Sequence, residues 1–148
     1  MKILDIHEFR EGDRHGFGHF GASRSGGTRT HKGVDLVANP GDYVYAPFKG
    51  KITKYGYCYG DTLEYRYIEI TGDKHICRIL YSELDDAFDV GDSVPEDQFI
   101  GIAQAIEKRY PGITPHVHVE IYKVSDTSRK SPLDPTELLK KKDLFTEL

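Results

Sequence analysis

Two cysteines, Cys58 and Cys77, are all that the 148 residues contain. That is too few for a disulfide framework, and their separation matches no zinc-knuckle spacing. They read as two structural thiols that are not bonded to each other. Cys58 ends one predicted strand, and Cys77 lies near the start of the strand two later, at the opposite end of a sheet. A bridge needs Cα atoms within about 7 Å. Long apolar runs are missing too, and a membrane-spanning helix takes about 20 such residues. Nor is there a basic stripe with interleaved aromatics. Twenty Lys and Arg stand against 24 Asp and Glu, giving a net charge of −4 spread along the chain, so nucleic-acid binding lacks its electrostatic footprint. In MKILDIHEFREGD the residues Asp5, His7 and Glu8 interrupt any secretory h-region. The expectation is a chain that works without a leader or has had one removed. Internal repeats and low-complexity linkers are also absent. This length then predicts one domain, 1–148, with a core over about 16–138 and a polar tail, 139–148.

What is abundant points to strands and turns. Ten Tyr, seven Phe and fifteen Gly, with frequent β-branched residues, favour extended structure over helix. DYVYAPFKGKITKYGY (42–57) holds two strand-like runs separated by Pro47 and Gly50. YRYIEIT (65–71) alternates, TGDK (71–74) turns, and HICRILYSEL (75–84) reads as one returning strand. VGDSV (90–94) turns, and FIGIA (99–103) and HVHVEIY (116–122) complete the set. Strands about every ten residues predict an all-β antiparallel sheet or sandwich. A short C-terminal helix is expected in DPTELLKK, where Asp134 can cap, Pro135 suits the first turn and Glu137 follows three residues after the cap.

Two motifs carry chemistry. Side chains alternate along a strand, so His116, His118, Glu120 and Tyr122 share one face, while Val117, Val119 and Ile121 take the other, the natural core face. Such a face serves equally as a solvated surface or as a metal and proton-transfer site. The second motif is HKGVD, His31 to Asp35. A straight strand would separate its ends by about 13 Å, too far for one ion. Gly33 permits a bend that lets His31 and Asp35 converge. Either motif alone is common by chance.

Their order and flanks are less common. GFG (16–18), Arg24, HKGVDL, YAPFKGKI (45–52), the turn VGDSV, GIA, PHVHVEI and SPLDP follow one another from about Gly16 to Leu138. This series resembles the lysostaphin-type zinc metallopeptidases, which cut peptide cross-links of bacterial cell walls. DRHGFG (13–18), ASRS (22–25), HKGVD, YAPFKGKI and YPGITPHVH (110–118) are most similar to the leukocyte cell-derived chemotaxin branch of that superfamily. That branch keeps the zinc site but is regarded as signalling without peptidase activity.

The resemblance implies the antiparallel β fold of that family, a duplicated hybrid motif. It also implies one zinc ion held by His31, Asp35 and His118, with a fourth position open as in catalytic sites. His116 would serve as proton acceptor or oxyanion partner, and Glu120 would orient a ligating imidazole. Active members carry a second catalytic His in a Tyr-x-His-Leu stretch. Matched to Tyr81-Ser82-Glu83-Leu84, that position falls on Glu83, which is therefore expected beside the zinc as a general base. The function implied is a zinc metalloendopeptidase for peptidoglycan cross-links, acting at the cell wall from a virion, through lysis or by secretion. The rival is a catalytically silent, chemotaxin-like module that keeps the zinc and recognises peptidoglycan or a protein partner.

Overall fold

A computed structural model describes residues 1–24, 27 and 29–140. Its strands are β1 (Gly12–Asp13), β2 (Gly16–Phe17), β3 (Ser23–Arg24), β4 (Arg29–Thr30), β5 (Val34–Val37), β6 (Tyr43–Tyr45) and β7 (Gly50–Tyr57). They continue with β8 (Arg66–Thr71), β9 (His75–Leu80), β10 (Ser82–Leu84), β11 (Ser93–Val94), β12 (Phe99–Ala103) and β13 (His116–Lys123), and one helical turn, α1 (Thr136–Leu139), closes the described chain. Six strands form the main sheet in the order β11-β7-β8-β9-β13-β5, and β10-β12-β6 form a second. β1 pairs with β2 and β3 with β4 as two-stranded sheets, and every named pairing is antiparallel. The all-β antiparallel expectation therefore holds, short C-terminal helix included. Among the described residues no helix is long and apolar enough to cross a membrane.

The core lies where the alternating runs put their β-branched residues. Ile52, Ile68, Ile70, Ile79, Ile100, Val117, Val119 and Ile121 are fully buried in one cluster. Covering each such side chain stabilises the fold by about 1.5–3 kcal/mol before chain entropy is counted. Burial reaches beyond the expected span of 16–138. Ile3 and Leu4 sit in this core at one end and Leu139 at the other, while the backbone N–H of Tyr45 donates to Ile3. Residues 141–148 of the expected polar tail lie outside the described residues.

The expected long strand over 75–84 breaks at Tyr81, which has φ 67°. A non-glycine residue in this left-handed region is strained by about 1–2 kcal/mol. Two backbone hydrogen bonds hold it there, Tyr81 N–H to Arg66 O and Gln104 N–H to Tyr81 O, each 2.8 Å. The break moves the chain from the main sheet (β9) to the second sheet (β10). The N-cap of α1 is Pro135 rather than Asp134; Asp134, one residue earlier, accepts from the Thr136 N–H at 3.0 Å and its hydroxyl at 2.6 Å. Both cysteines are free. Cys77 pairs with Ile70 and Cys58 with Tyr65, which separates them by about 17 Å along β8 at 3.3 Å per residue.

Candidate metal centre

The antiparallel register of β13 on β5 sets His118 directly opposite Asp35. Directly paired residues point to the same face with Cβ atoms about 5 Å apart, so imidazole and carboxylate meet without further arrangement. His31 arrives from the turn after β4. Its backbone is fastened by its own N–H to Ala22 O at 2.8 Å and by Gly21 N–H to His31 O at 2.9 Å. His31 Nε2 then lies 3.1 Å from Asp35 Oδ1, His118 Nδ1 lies 3.0 Å from the same oxygen, and the two ring nitrogens are 2.8 Å apart.

Gly33 lies in the bend before β5, as expected, and it makes this approach possible in a second way. Its φ is not in the left-handed region. A Cβ on Gly33 would stand 2.0 Å from the carbonyl oxygen of Val119. Glycine is needed so that β5 can lie close against β13, and the convergence of His31 and Asp35 follows from the turn before β5.

The partners of these groups fix their tautomers. His31 Nδ1 is 3.0 Å from the His19 carbonyl, which can only accept, so that nitrogen carries the proton and Nε2 is left bare. His118 Nε2 is 2.8 Å from Glu120 Oε2, which leaves Nδ1 bare in the neutral ring. Asp35 spends its other oxygen, Oδ2, on the Arg10 Nε–H at 3.0 Å. Three acceptor atoms thus face one another with no proton of their own. A tetrahedral ion with bonds of 2.0–2.1 Å sets its ligand atoms about 3.3 Å apart, within about half an ångström of the observed triangle. Two imidazoles and a carboxylate form a donor set suited to zinc. Without a cation the cluster keeps one proton. Burial opposes a charged His118, but hydrogen bonds to Asp35 and Glu120 outweigh it and raise the ring to about 9. Burial likewise raises Asp35, and its bonds to His118 and His31 overcome this, holding the carboxyl well below its usual range.

The strand face that composition left open as a solvated surface is buried. His116 is 3% exposed, His118 6% and Glu120 9%. Glu120 accepts from His118 through one oxygen and from the Tyr122 hydroxyl at 2.6 Å through the other. Burial raises its carboxyl, but these donors prevail and bring it to about 2. His116 Nδ1–H donates to the Thr114 carbonyl at 2.7 Å, so the bare Nε2 faces the cluster, 3.5 Å from Asp35 Oδ2. Burial lowers this imidazole's pKa, so it is neutral at pH 7 and able to accept a proton.

Glu83 does not join them. It lies on β10 in the second sheet with its side chain exposed, and it does not line the groove over the cluster. The left-handed turn at Tyr81 is the reason, because it carries the chain away from the main sheet one residue too early. The side chain that meets His116 is Tyr81, ring centroids 5.5 Å apart and nearly perpendicular at 83°. Glu83, expected beside the zinc, is thus away from the groove, and the Tyr-x-His-Leu match gave no signal that Tyr81 would meet His116. Arg10 was missed as well. It is 4% exposed, and besides Asp35 it donates to Asp13 at 2.8 Å and the Gly16 carbonyl at 3.1 Å. Its place in a polar N-terminal stretch gives no hint of this.

The cluster forms the floor of a groove of about 780 Å³. Arg24, Lys32, Tyr59, Tyr81, Tyr110 and Ile113 are among the residues that line it. The tyrosines are joined through their hydroxyls, Tyr110 to Tyr59 and Tyr59 to Tyr81, each at 3.2 Å.

The sequence model of peptidase family M23 matches residues 29–135, a span that holds His31, Asp35, Tyr81, His116 and His118. Leukocyte cell-derived chemotaxin-2 of Mus musculus is 33% identical over 126 residues, covering 80% of this chain and 76% of that protein. The Bos taurus protein of the same name is 31% identical over the same length. The catalytic domain of lysostaphin, an antimicrobial peptidase of Staphylococcus simulans, superposes with a TM-score of 0.62 at 25% identity, over 92% of this chain and 100% of that domain.

Proposed function

Because the chain belongs to peptidase family M23, we propose that it is a zinc metalloendopeptidase that hydrolyses peptide cross-links of bacterial peptidoglycan. One observation carries the reading: three bare acceptor atoms, from His31, Asp35 and His118, converge within 3.1 Å beneath an open groove, with a neutral imidazole beside them. A zinc ion bound there supplies Lewis-acid polarisation of the scissile carbonyl and activation of water. The chain's own residues do the rest. Arg10 holds Asp35 by Oδ2, so that Oδ1 faces the histidines. Glu120 fixes the His118 ring through Nε2, as outer partners of metal-binding histidines commonly do. His116, neutral and with Nε2 bare, takes the proton of the attacking water and returns it to the departing amine. The place of action is the cell wall, reached from a virion, by lysis or by secretion.

A second reading is a zinc-holding module that recognises peptidoglycan or a protein partner without cutting. It draws on one observation: Glu83, matched to the second imidazole of active members, is exposed and away from the groove, and the ring in contact with His116 is the phenol of Tyr81. The chemotaxin-2 likeness points the same way. Incubating zinc-loaded protein with purified peptidoglycans of several cross-link types, and reading released fragments by mass spectrometry, separates the two. Release of peptide fragments that stops on His116→Ala supports the peptidase. Retention on the sacculus with no fragment from any cross-link type refutes it and leaves the binding module.

A further inference from the structure

The groove lining includes three phenols, Tyr59, Tyr81 and Tyr110, that the hydrolysis above does not use. Their hydrogen bonds have a direction. Arg109 has only donors to offer, and its Nε–H donates to the Tyr110 hydroxyl at 3.1 Å. Tyr110 gives its own proton to Tyr59, and Tyr59 gives its proton to Tyr81. A phenol has one proton, so the relay runs one way and ends on Tyr81. Among the described residues Tyr81's own proton meets no acceptor. The relay is anchored at its far end, where the Arg109 guanidinium lies 3.7 Å over the Tyr59 ring and 3.3 Å from Asp61. At its near end the Tyr81 ring is set by its edge contact with His116. Its left-handed backbone, at φ 67°, is held by Arg66 and Gln104.

We propose that Tyr81 is a hydrogen-bond donor to the substrate, its O–H binding the carbonyl oxygen of the peptide bond that lies against His116 and the negative charge that oxygen gains when the bond is attacked. The peptide substrate rests on the function proposed above. The donor role rests on the relay. Hydrogen bonds in a chain strengthen one another, so accepting from Tyr59 makes Tyr81 the better donor. Burial pushes both phenols well above their usual pKa, and they keep their protons across the neutral range. A fixed neutral donor of this kind stabilises a developing oxyanion without reorganising. No proton leaves Tyr81 in the reaction. Tyr59 and Tyr110 are positioning residues, acting only through it. Glu83, exposed and outside the groove, has no part.

The test is isothermal titration of zinc-loaded wild type, Tyr81→Phe and Tyr59→Phe with an N-acetylated glycyl-glycine analogue whose amide is replaced by a phosphinate. Its charged oxygens stand in for the attacked carbonyl. Losing a hydrogen bond to a charged oxygen weakens binding about 10- to 150-fold, and that loss is expected for Tyr81→Phe. Tyr59→Phe removes only the polarisation, and about threefold is expected. Zinc affinity, measured by chelator competition, stays within about twofold in both variants. Tyr81→Phe binding the phosphinate within twofold of wild type, or a wild type that does not bind it at millimolar concentration, overturns the proposal. Hydrolysis is read separately. Phosphinate binding that depends on Tyr81 without any cleavage of peptidoglycan rejects the peptidase reading and leaves the donor in place. In an active enzyme, Tyr81→Phe lowers kcat with KM little changed.

Discussion

Gly33→Ala is the smallest change that tests how the metal centre is built. The added Cβ would stand 2.0 Å from Val119 O and 2.8 Å from Val119 C. A carbon normally keeps about 3.3 Å or more from a carbonyl oxygen, so β5 and β13 must separate by about 1.3 Å at this point. Both atoms in conflict are fixed to backbone, and no rotamer relieves the clash. Asp35 lies two residues along β5 and pairs with His118 across the opened seam. Metal sites tolerate about 0.2 Å in ligand distance, and a displacement near 1 Å costs about 100-fold where geometry is tight. Overpacking of this kind destabilises by about 3 kcal/mol, which in a chain of 148 residues is a fall in Tm of about 6–12 °C. Chelator competition should therefore show zinc binding weakened at least 100-fold, and calorimetry the lowered Tm. A Gly33→Ala protein that keeps wild-type zinc affinity and melts within 2 °C of wild type would refute the close-approach account.

Four further outcomes follow from named contacts. Glu120→Gln keeps the shape but takes the carboxylate from His118 Nε2, and zinc affinity by competition should fall about 10- to 100-fold. Glu83→Gln, on an exposed position of β10, should leave zinc affinity unchanged and stability within about 0.5 kcal/mol; a large loss of either would return Glu83 to the site. Glu69 is 2% exposed and held by Arg78 and Arg129 at 2.8 and 2.9 Å. Glu69→Gln breaks a buried ion cluster and should cost about 3 kcal/mol in urea unfolding. Asp13 governs part of the acid limb. Burial raises its carboxyl, but donation from Thr114 N–H, His15 N–H and Arg10 lowers it to about 2. Its folded pKa is below the unfolded value of about 3.9, so its stabilisation is complete above pH 4 and is lost as pH falls toward 2. Asp13→Ala should therefore destabilise at pH 7 and hardly at pH 2, and an equal loss at both would reject the linkage.

The sequence alone determined what depends on short range. Alternation in YRYIEIT and HVHVEIY placed the strands and the face shared by His116, His118 and Glu120. Asp134 marked α1, and the order HKGVD before HVH named His31, Asp35 and His118, which the fold does bring together. The strands and their faces follow from a period of two, written in neighbouring residues, whereas the three ligands were named by the family resemblance of the ordered motifs. What joins distant segments had no local signature. Arg10 reaches Asp35 only because the N-terminal segment packs beside β5. The bend at Gly33 was legible, but its close approach to Val119 O, 2.0 Å from the missing Cβ, was not. The choice between Glu83 and Tyr81 was made by one backbone angle. A left-handed residue sends the following side chains into another sheet, and its cost is met by Arg66 and Gln104, 15 and 23 residues away in the sequence. Register along a strand is a local property. Which sheet a strand joins depends on the tertiary hydrogen bonds that compensate its strain.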